Sequence, residues 1–309
     1  MNRVASIHFF HAKKPTIVTI GTFDGVHLGH KKILKLVTAA ANELHGESLV
    51  LTFFPHPRTV LQADTEMKQL NTLAEKINLL ESMGIDNLVI HPFDTAFSRL
   101  TAEEFVKQVL VETFQTKKII IGYDHRFGRN RTANIDDLIQ FGTKFGFEVE
   151  QISAKEINDV AISSTKIRNA LTEGNVALAN NYLGYDYSLT GTVVKGKQLG
   201  RTIDYPTANI TVEEDYKLIP KNGVYIIKST INGVTVFGMM NIGTRPTVDG
   251  TTPTIEVHYF DFSKDLYNQT ITVALLEWMR QEQKFDTVKA LQNQLDHDKK
   301  MALAYISKL

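Results

Sequence analysis

Cysteine is absent from all 309 residues, which excludes disulfides, thiolate metal sites and a cysteine nucleophile together. Net charge is absent too. Lys and Arg number 34 against 34 Asp and Glu, so no overall field draws the chain toward nucleic acid or an anionic membrane. Any anionic ligand has to be held by local geometry. No apolar run reaches bilayer-spanning length, and residues 1–14 hold no stretch of signal-peptide character. Together these absences point to a reducing, cytoplasmic setting without nucleic acid or membrane as partner, and leave the oligomeric state open. The Asn-x-Thr triplets at Asn130, Asn209 and Asn268 matter only in a secreted protein and carry no weight.

What the chain does have is 43% hydrophobic residues in a length that exceeds one ordinary domain, enough for two cores. Short strand patterns at 16–23, 48–54, 87–93, 117–123 and 148–153 alternate with helical ones, which implies crossover units and a parallel sheet. Leu34, Val37, Ala41 and Leu44 mark one helix, and Thr101 with Glu104 forms a capping box ahead of another. After about Gly184 the texture becomes β-rich, with strands expected at 187–194, 208–212, 223–230, 234–240, 254–262 and 269–278. Asn232-Gly233 supplies a hairpin turn between two of them, and six strands in so short a span suggest a closed or nearly closed barrel. Val288, Leu291, Leu295 and Ala302 predict a C-terminal amphipathic helix. The boundary falls within 172–186, giving domains 1–184 and 185–309.

The first strand runs into Gly21-Thr22-Phe23-Asp24-Gly25-Val26-His27-Leu28-Gly29-His30 and then a helix. Glycines let backbone approach a phosphate, and a helix N-terminus offers unpaired N–H groups with a positive dipole end. That combination is an anion site. Further clusters follow other strands: Pro55-His56-Pro57, then Gly122-Tyr123-Asp124-His125-Arg126-Phe127-Gly128, and Ser163-Ser164-Thr165-Lys166-Ile167-Arg168 opening a helix. In an open parallel sheet, ligands bind beyond the carboxyl ends of the strands, where strand order reverses. Singly, each cluster reads as a rigid turn, a cap or a solvated charge. Jointly they read as one nucleotide site.

These motifs resemble the adenylyltransferase half of bacterial bifunctional riboflavin kinase/FMN adenylyltransferases, over about residues 15–185. Class I aminoacyl-tRNA synthetases share the first motif, but their lysine-rich second signature does not match Ser163 to Arg168. The resemblance implies an α/β Rossmann-like nucleotidyltransferase domain that joins ATP to FMN, giving FAD and pyrophosphate. An FMN phosphate is already anionic, so positioning and charge stabilisation carry such a reaction. His27 and His30 are assigned to the ATP phosphates, and Arg168 with Ser164 and Thr165 to the departing pyrophosphate. Gly21, Phe23, Asp24, Gly25, His56, Asp124 and Ser163 line the nucleotide site.

In the second half, Gly191 to Lys197 imitates a P-loop, but Gln198 stands where Ser or Thr is required and no helix pattern follows. The tract Gly200-Arg201-Thr202-Ile203-Asp204-Tyr205-Pro206-Thr207-Ala208-Asn209 instead resembles the riboflavin kinase signature, over about 187–305. That resemblance implies a six-stranded antiparallel barrel in which Gly196, Lys197, Gly200, Arg201, Thr207 and Asn209 hold ATP. Thr207 and Asn209 hold Mg²⁺, Glu256 is the general base for the riboflavin hydroxyl, and Arg280 faces the flavin. Ile255, Val257 and Tyr259 lie opposite Glu256 on its strand, whose other face is ordinarily wet. Two departures stand out: Leu199 replaces an arginine and Asp204 a glycine, so the kinase is expected to be the weaker activity. A monofunctional adenylyltransferase, or a flavin-binding regulator without catalysis, is the alternative. Intact His27, His30, Arg168, Thr207, Asn209 and Glu256 argue against the non-catalytic regulator.

Overall fold

A computed structural model describes residues 1–309 except 62–66, 124, 154–161, 197–199, 201–202 and 248–249, with backbone alone at 245–247 and 250–252. The chain forms two compact units, Met1–Ser164 and Thr165–Leu309.

The first unit is a six-stranded, wholly parallel sheet: β1 Asn2–Val4, β2 Thr16–Ile20, β3 Glu47–Phe53, β4 Asn87–His91, β5 Thr116–Gly122 and β6 Glu148–Ile152. Its order, β1-β4-β3-β2-β5-β6, reverses between β2 and β5. The ligand crevice of such a sheet therefore opens beyond the ends of those two strands. Both faces are covered, as a parallel sheet requires. Val18, Ile20, Leu49, Leu51, Ile119 and Ile121 pack on Phe105, Val109 and Leu138 on one face. On the other, Ile17 and Ile120 meet Ile33 and Val37 of helix α1, Leu28–Glu43, while Val50 and Leu88 meet Leu80 of helix α2, Leu73–Glu81. The Thr101–Glu104 capping box is present, as is a second one at Thr72–Glu75. Helix α3, Ile135–Phe145, ends at Gly146 in the left-handed conformation. Five of the six strands match expectation; β1 is an addition.

The second unit opens with helices α4, Ser164–Glu173, and α5, Val176–Leu183. They group with the barrel because their backbone and side chains hydrogen-bond to it. Asn180 donates to Leu275 O at 2.9 Å and accepts from Tyr187 N at 2.8 Å, and Lys221 N donates to Leu171 O at 3.1 Å. The barrel is closed and antiparallel, in the order β10-β11-β8-β7-β12-β9. Its strands are β7 Ser188–Val194, β8 Ala208–Thr211, β9 Gly223–Ile231, β10 Val234–Thr247, β11 Gly250–Tyr259 and β12 Thr270–Arg280. Asn232 and Gly233 make the β9–β10 turn with φ of 51° and 78°, the pair of positive values that a tight hairpin needs. The C-terminal helix α6, Val288–Ile306, lays Leu291, Leu295 and Ala302 on a cluster with Ile203, Tyr205, Ile226 and Met239. No described helix is long and apolar enough to cross a membrane.

Candidate active sites

The loop from Gly21 to His27 leaves the end of β2 at the reversal point. Phe23 and Val26 take φ of 47° and 34°, and Gly25 takes 84°. Such values for Phe and a β-branched Val cost on the order of 1–3 kcal/mol each and persist only where packing enforces them. Here Phe23 and Val26 are buried against Leu34, Val50, Leu80 and Leu88. The strained turn delivers His27 to the N-cap of α1, where its Nδ1 accepts from the His30 amide at 3.4 Å. That acceptance leaves Nε2 as the ring's donor when His27 is neutral. The His27 and His30 rings stack at 3.6 Å, and Phe23 lies 5.1 Å from His30. Among the described residues His30 Nδ1 is buried without a partner, and burial, then His27 and Lys76, push the His30 pKa well below its ordinary value. The loop thus presents two stacked imidazoles, of which His30 is held uncharged, at a helix N-terminus.

Three contacts bind this loop to distant sequence. The Asp24 carboxylate is buried and accepts from Leu70 N at 2.9 Å, while Asp24 O accepts from the Ser164 hydroxyl at 2.9 Å. The second motif is thereby joined to the first. Thr165 is exposed at the start of α4, Ser163 precedes that helix, and Arg168 lies four residues after Ser164, on the same helical face. The third contact is one that sequence reading missed. Lys76 of α2 is 1% exposed, and its ammonium donates to Thr22 O at 3.0 Å. Its spacing, three after Leu73 and four before the buried Leu80, already set a lysine on an apolar face. His56 follows β3, is buried, and accepts from Arg58 N at 3.1 Å. Asp124 lies outside the described residues.

In the barrel, cross-strand register does the assembling. Asn209 of β8 pairs with Glu256 of β11, and Glu256 pairs with Asn241 of β10. Three polar residues therefore stand in one row across adjacent strands. Glu256 is half-buried, while Ile255, Val257 and Tyr259 face the core. Asn241 Nδ2 donates to Glu282 Oε1 at 3.2 Å. Gly196 abuts Asn209 so closely that a Cβ there would stand 2.0 Å from Asn209 Nδ2, and one on Gly200 would stand 2.0 Å from Tyr205 O. Only glycine permits those approaches. Lys197 and Arg201 lie outside the described residues.

Comparison with known proteins adds the deciding observation. A family model for FAD synthetase matches residues 10–166, and one for riboflavin kinase matches residues 183–306. Proteins named bifunctional riboflavin kinase/FMN adenylyltransferase align along most of the chain. That of Listeria monocytogenes is 38% identical over 95% of this chain and 93% of its own. The Escherichia coli K12 protein is 36% identical, covering 91% and 90%, and the Bacillus subtilis protein is 36% identical, covering 95% and 93%. The chain belongs to the bifunctional riboflavin kinase/FMN adenylyltransferase family. A crystal structure described as a macrolide-efflux protein from Streptococcus pneumoniae also superposes, with a TM-score of 0.90 at 31% identity over 97% of both chains. Efflux belongs to that protein's description; what the two chains share is the fold of both units.

Against this family's two reactions, the residues divide into those gathered and those engaged elsewhere. Gly21, Phe23, Asp24, Gly25, His27, His30 and Ser164 form one assembly, and Gly196, Asn209 and Glu256 form another. Arg280 is engaged: Nε and Nη2 bind the buried Asp298 carboxylate at 2.6 to 3.0 Å, and Nη1 donates to Gln281 O. This pair, with Gln294 donating to Asp298 at 2.8 Å, fastens α6 to β12. Tyr205 adds a second fastening through Asp296 at 2.6 Å, and burial, then Asp296, raises its pKa. Asp298 went unnoticed in the sequence because an isolated Asp carries no pattern until helix packing gives it a partner.

Proposed function

We propose that the chain makes both flavin coenzymes, with residues 185–309 transferring the γ-phosphoryl of ATP to riboflavin and residues 1–184 transferring the adenylyl group of ATP to FMN. The observation carrying this reading is the pairing of two family matches, end to end, with one polar assembly in each unit. It acts on small molecules in the cytoplasm, without nucleic acid or membrane as partner.

In adenylyl transfer a phosphate oxygen of FMN bonds to the α-phosphorus of ATP as the bond to the β-phosphate oxygen breaks, releasing pyrophosphate. No proton has to leave the nucleophile. His27 and His30 donate to the phosphates through N–H groups, α1 adds its dipole, and Arg168 with Ser164 and Thr165 takes the leaving pyrophosphate. Gly21, Phe23, Asp24, Gly25, His56, Asp124 and Ser163 shape the nucleotide site. In phosphoryl transfer a neutral hydroxyl must lose its proton as it attacks, and Glu256 accepts it. Gly196, Lys197, Gly200 and Arg201 hold the triphosphate. Arg280 serves the flavin side indirectly, by fixing β12 to α6 through Asp298.

Mg²⁺ fits the donor set of the barrel. The Thr207 hydroxyl and the Asn209 amide oxygen are hard ligands, and Asn209 sits in a cradle that a Cβ on Gly196 would fill. Among the described residues no group of three or more His, Cys, Asp and Glu is placed to hold a metal ion. Bound there, Mg²⁺ neutralises phosphate charge. The test is to incubate the purified chain with ATP, Mg²⁺ and either riboflavin or FMN and to separate the flavins. FMN and FAD from riboflavin, and FAD from FMN, are the expected products. No FMN from riboflavin leaves an adenylyltransferase alone, and no turnover at all leaves a binding protein.

A further inference from the structure

We infer that Lys76 is a positioning residue of the adenylyl-transfer site, its buried ammonium clamping through Thr22 the loop that leads to His27 and His30. Lys76 touches neither of the reacting groups proposed above, and the inference rests on the reading of the first unit as an adenylyltransferase. Its ammonium is almost wholly removed from solvent and makes a single hydrogen bond among the described residues, to Thr22 O at 3.0 Å. A buried lysine used only for packing leaves two N–H donors unsatisfied where methionine would fit, at a cost that structure ordinarily avoids. The placement gives that cost a purpose. Thr22 lies between Gly21 and the strained Phe23, so the bond fixes the turn that aims His27 and His30.

The charge has a second effect. Burial lowers the Lys76 pKa while the Asp24 carboxylate opposes that fall, and the Lys76 charge in turn adds to burial and His27 in disfavouring protonation of His30. Among the described residues, the charges that act on His30 are His27 at the N-cap of α1 and Lys76 on α2, and the charge that acts on Lys76 is Asp24 on the loop. A neutral His30 keeps one ring nitrogen as donor and the other as acceptor, while Lys76 supplies the positive potential that faces phosphate. Division of labour follows: the imidazoles orient, the lysine charges.

The experiment compares the full chain with Lys76→Met, which keeps length and removes charge, and Lys76→Arg, which keeps charge. Histidine ring resonances, with His30 identified by its loss in His30→Ala, are followed against pH by NMR without substrate. In the parent His30 titrates well below the usual range; in Lys76→Met its midpoint moves upward, and in Lys76→Arg it stays low. Steady-state kinetics of FAD formation give the second readout. A loop misplaced by about 1 Å costs on the order of a hundredfold, so kcat falls by about ten- to a hundredfold in Lys76→Met while KM for ATP moves much less, and Lys76→Arg recovers part of kcat. Thermal melting shows whether each variant is folded. Where Lys76→Met does not fold, Lys76→Gln replaces it in both readouts. A His30 midpoint indifferent to Lys76, or a folded uncharged variant with parental kcat, overturns the inference. Failure of the parent to adenylylate FMN overturns the functional reading instead, and the substrate-free titration still decides what Lys76 does to His30.

Discussion

In the sheet unit the proposed catalytic groups hang from backbone in rare conformations, with Phe23 and Val26 at φ of 47° and 34°. In the barrel they hang from ordinary extended strands, Asn209 facing Glu256 and Glu256 facing Asn241. The sheet unit supplies imidazoles, of which His30 is held neutral, while the barrel supplies a half-buried carboxylate. The contrast follows from the nucleophiles. A phosphate already carries its charge and needs only donors aimed at the transition state, which a loop at a helix N-terminus provides. A hydroxyl must surrender a proton, so a base has to stand at a fixed distance, and strand register fixes distances well. The two phosphorus chemistries thus call for different residue types.

The largest expected effect tests that separation from the barrel side. Glu256→Gln keeps shape and removes basicity, and general-base contributions amount to about a hundred- to ten-thousandfold. FMN formation from riboflavin falls within that range, while FAD formation from supplied FMN is unchanged; a parental kinase rate would leave Glu256 a strand-surface carboxylate. From the sheet side, His30→Ala removes one preorganised donor, worth about a hundred- to a thousandfold. FAD formation from FMN falls by that factor and kinase activity is retained. Loss of both activities in either variant would dissolve the comparison.

The next effect concerns stability. Asp298 is 2% exposed and holds both Arg280 and Gln294, so Asp298→Ala strands a guanidinium at the β12–α6 junction. Breaking a buried pair from one side costs about 3–5 kcal/mol. The second unit melts about 10 °C lower, and kinase activity is lost over the same temperature range. Calorimetry showing an unshifted barrel transition would return Arg280 to a direct flavin contact.

These sites were legible in the sequence to different depths. The anion loop could be read because its function is local: glycines, two histidines and a helix start follow one another, and the structure makes His27 the cap itself. The Asn232-Gly233 turn was legible for the same reason. Residues whose role depends on tertiary neighbours were not. Lys76 is recognisable only as a charge out of phase with its helix, and Asp298 only once α6 packs on β12. Strand β1 escaped because three residues at a sheet edge show no alternation, and β10 was read as ending at 240 although it continues to Thr247. In that extension Thr244, Arg245, Pro246 and Thr247 look like turn chemistry, and only pairing with 250–253 of β11 makes them strand.

The smallest effect bears on whether the two activities are equal. Asp204 stands where the resemblance places glycine, and the structure gives it φ of 62°, the left-handed region in which glycine is unstrained. An L-residue there costs roughly 1–2 kcal/mol, less for Asp, whose short side chain tolerates the conformation. Tyr205 N, next in sequence, donates to Gly200 O at 2.8 Å, so this conformation belongs to the closure of the nucleotide loop. Asp204 also brings a negative charge toward a triphosphate, and Leu199, outside the described residues, withholds a positive one. Both departures are expected to weaken the kinase relative to the adenylyltransferase. Leu199→Arg with Asp204→Gly should raise kinase kcat/KM by about fivefold, the equivalent of roughly 1 kcal/mol, and leave FAD formation from FMN unchanged. Asp204→Asn separates the causes, since it removes the charge and keeps a residue tolerant of positive φ. If Asn recovers the gain of Gly, and the gain shrinks at high salt, repulsion is the cause; if only Gly recovers it, backbone strain is. Equal efficiency of the two activities in the unmodified chain would show that the loop absorbs both departures without cost.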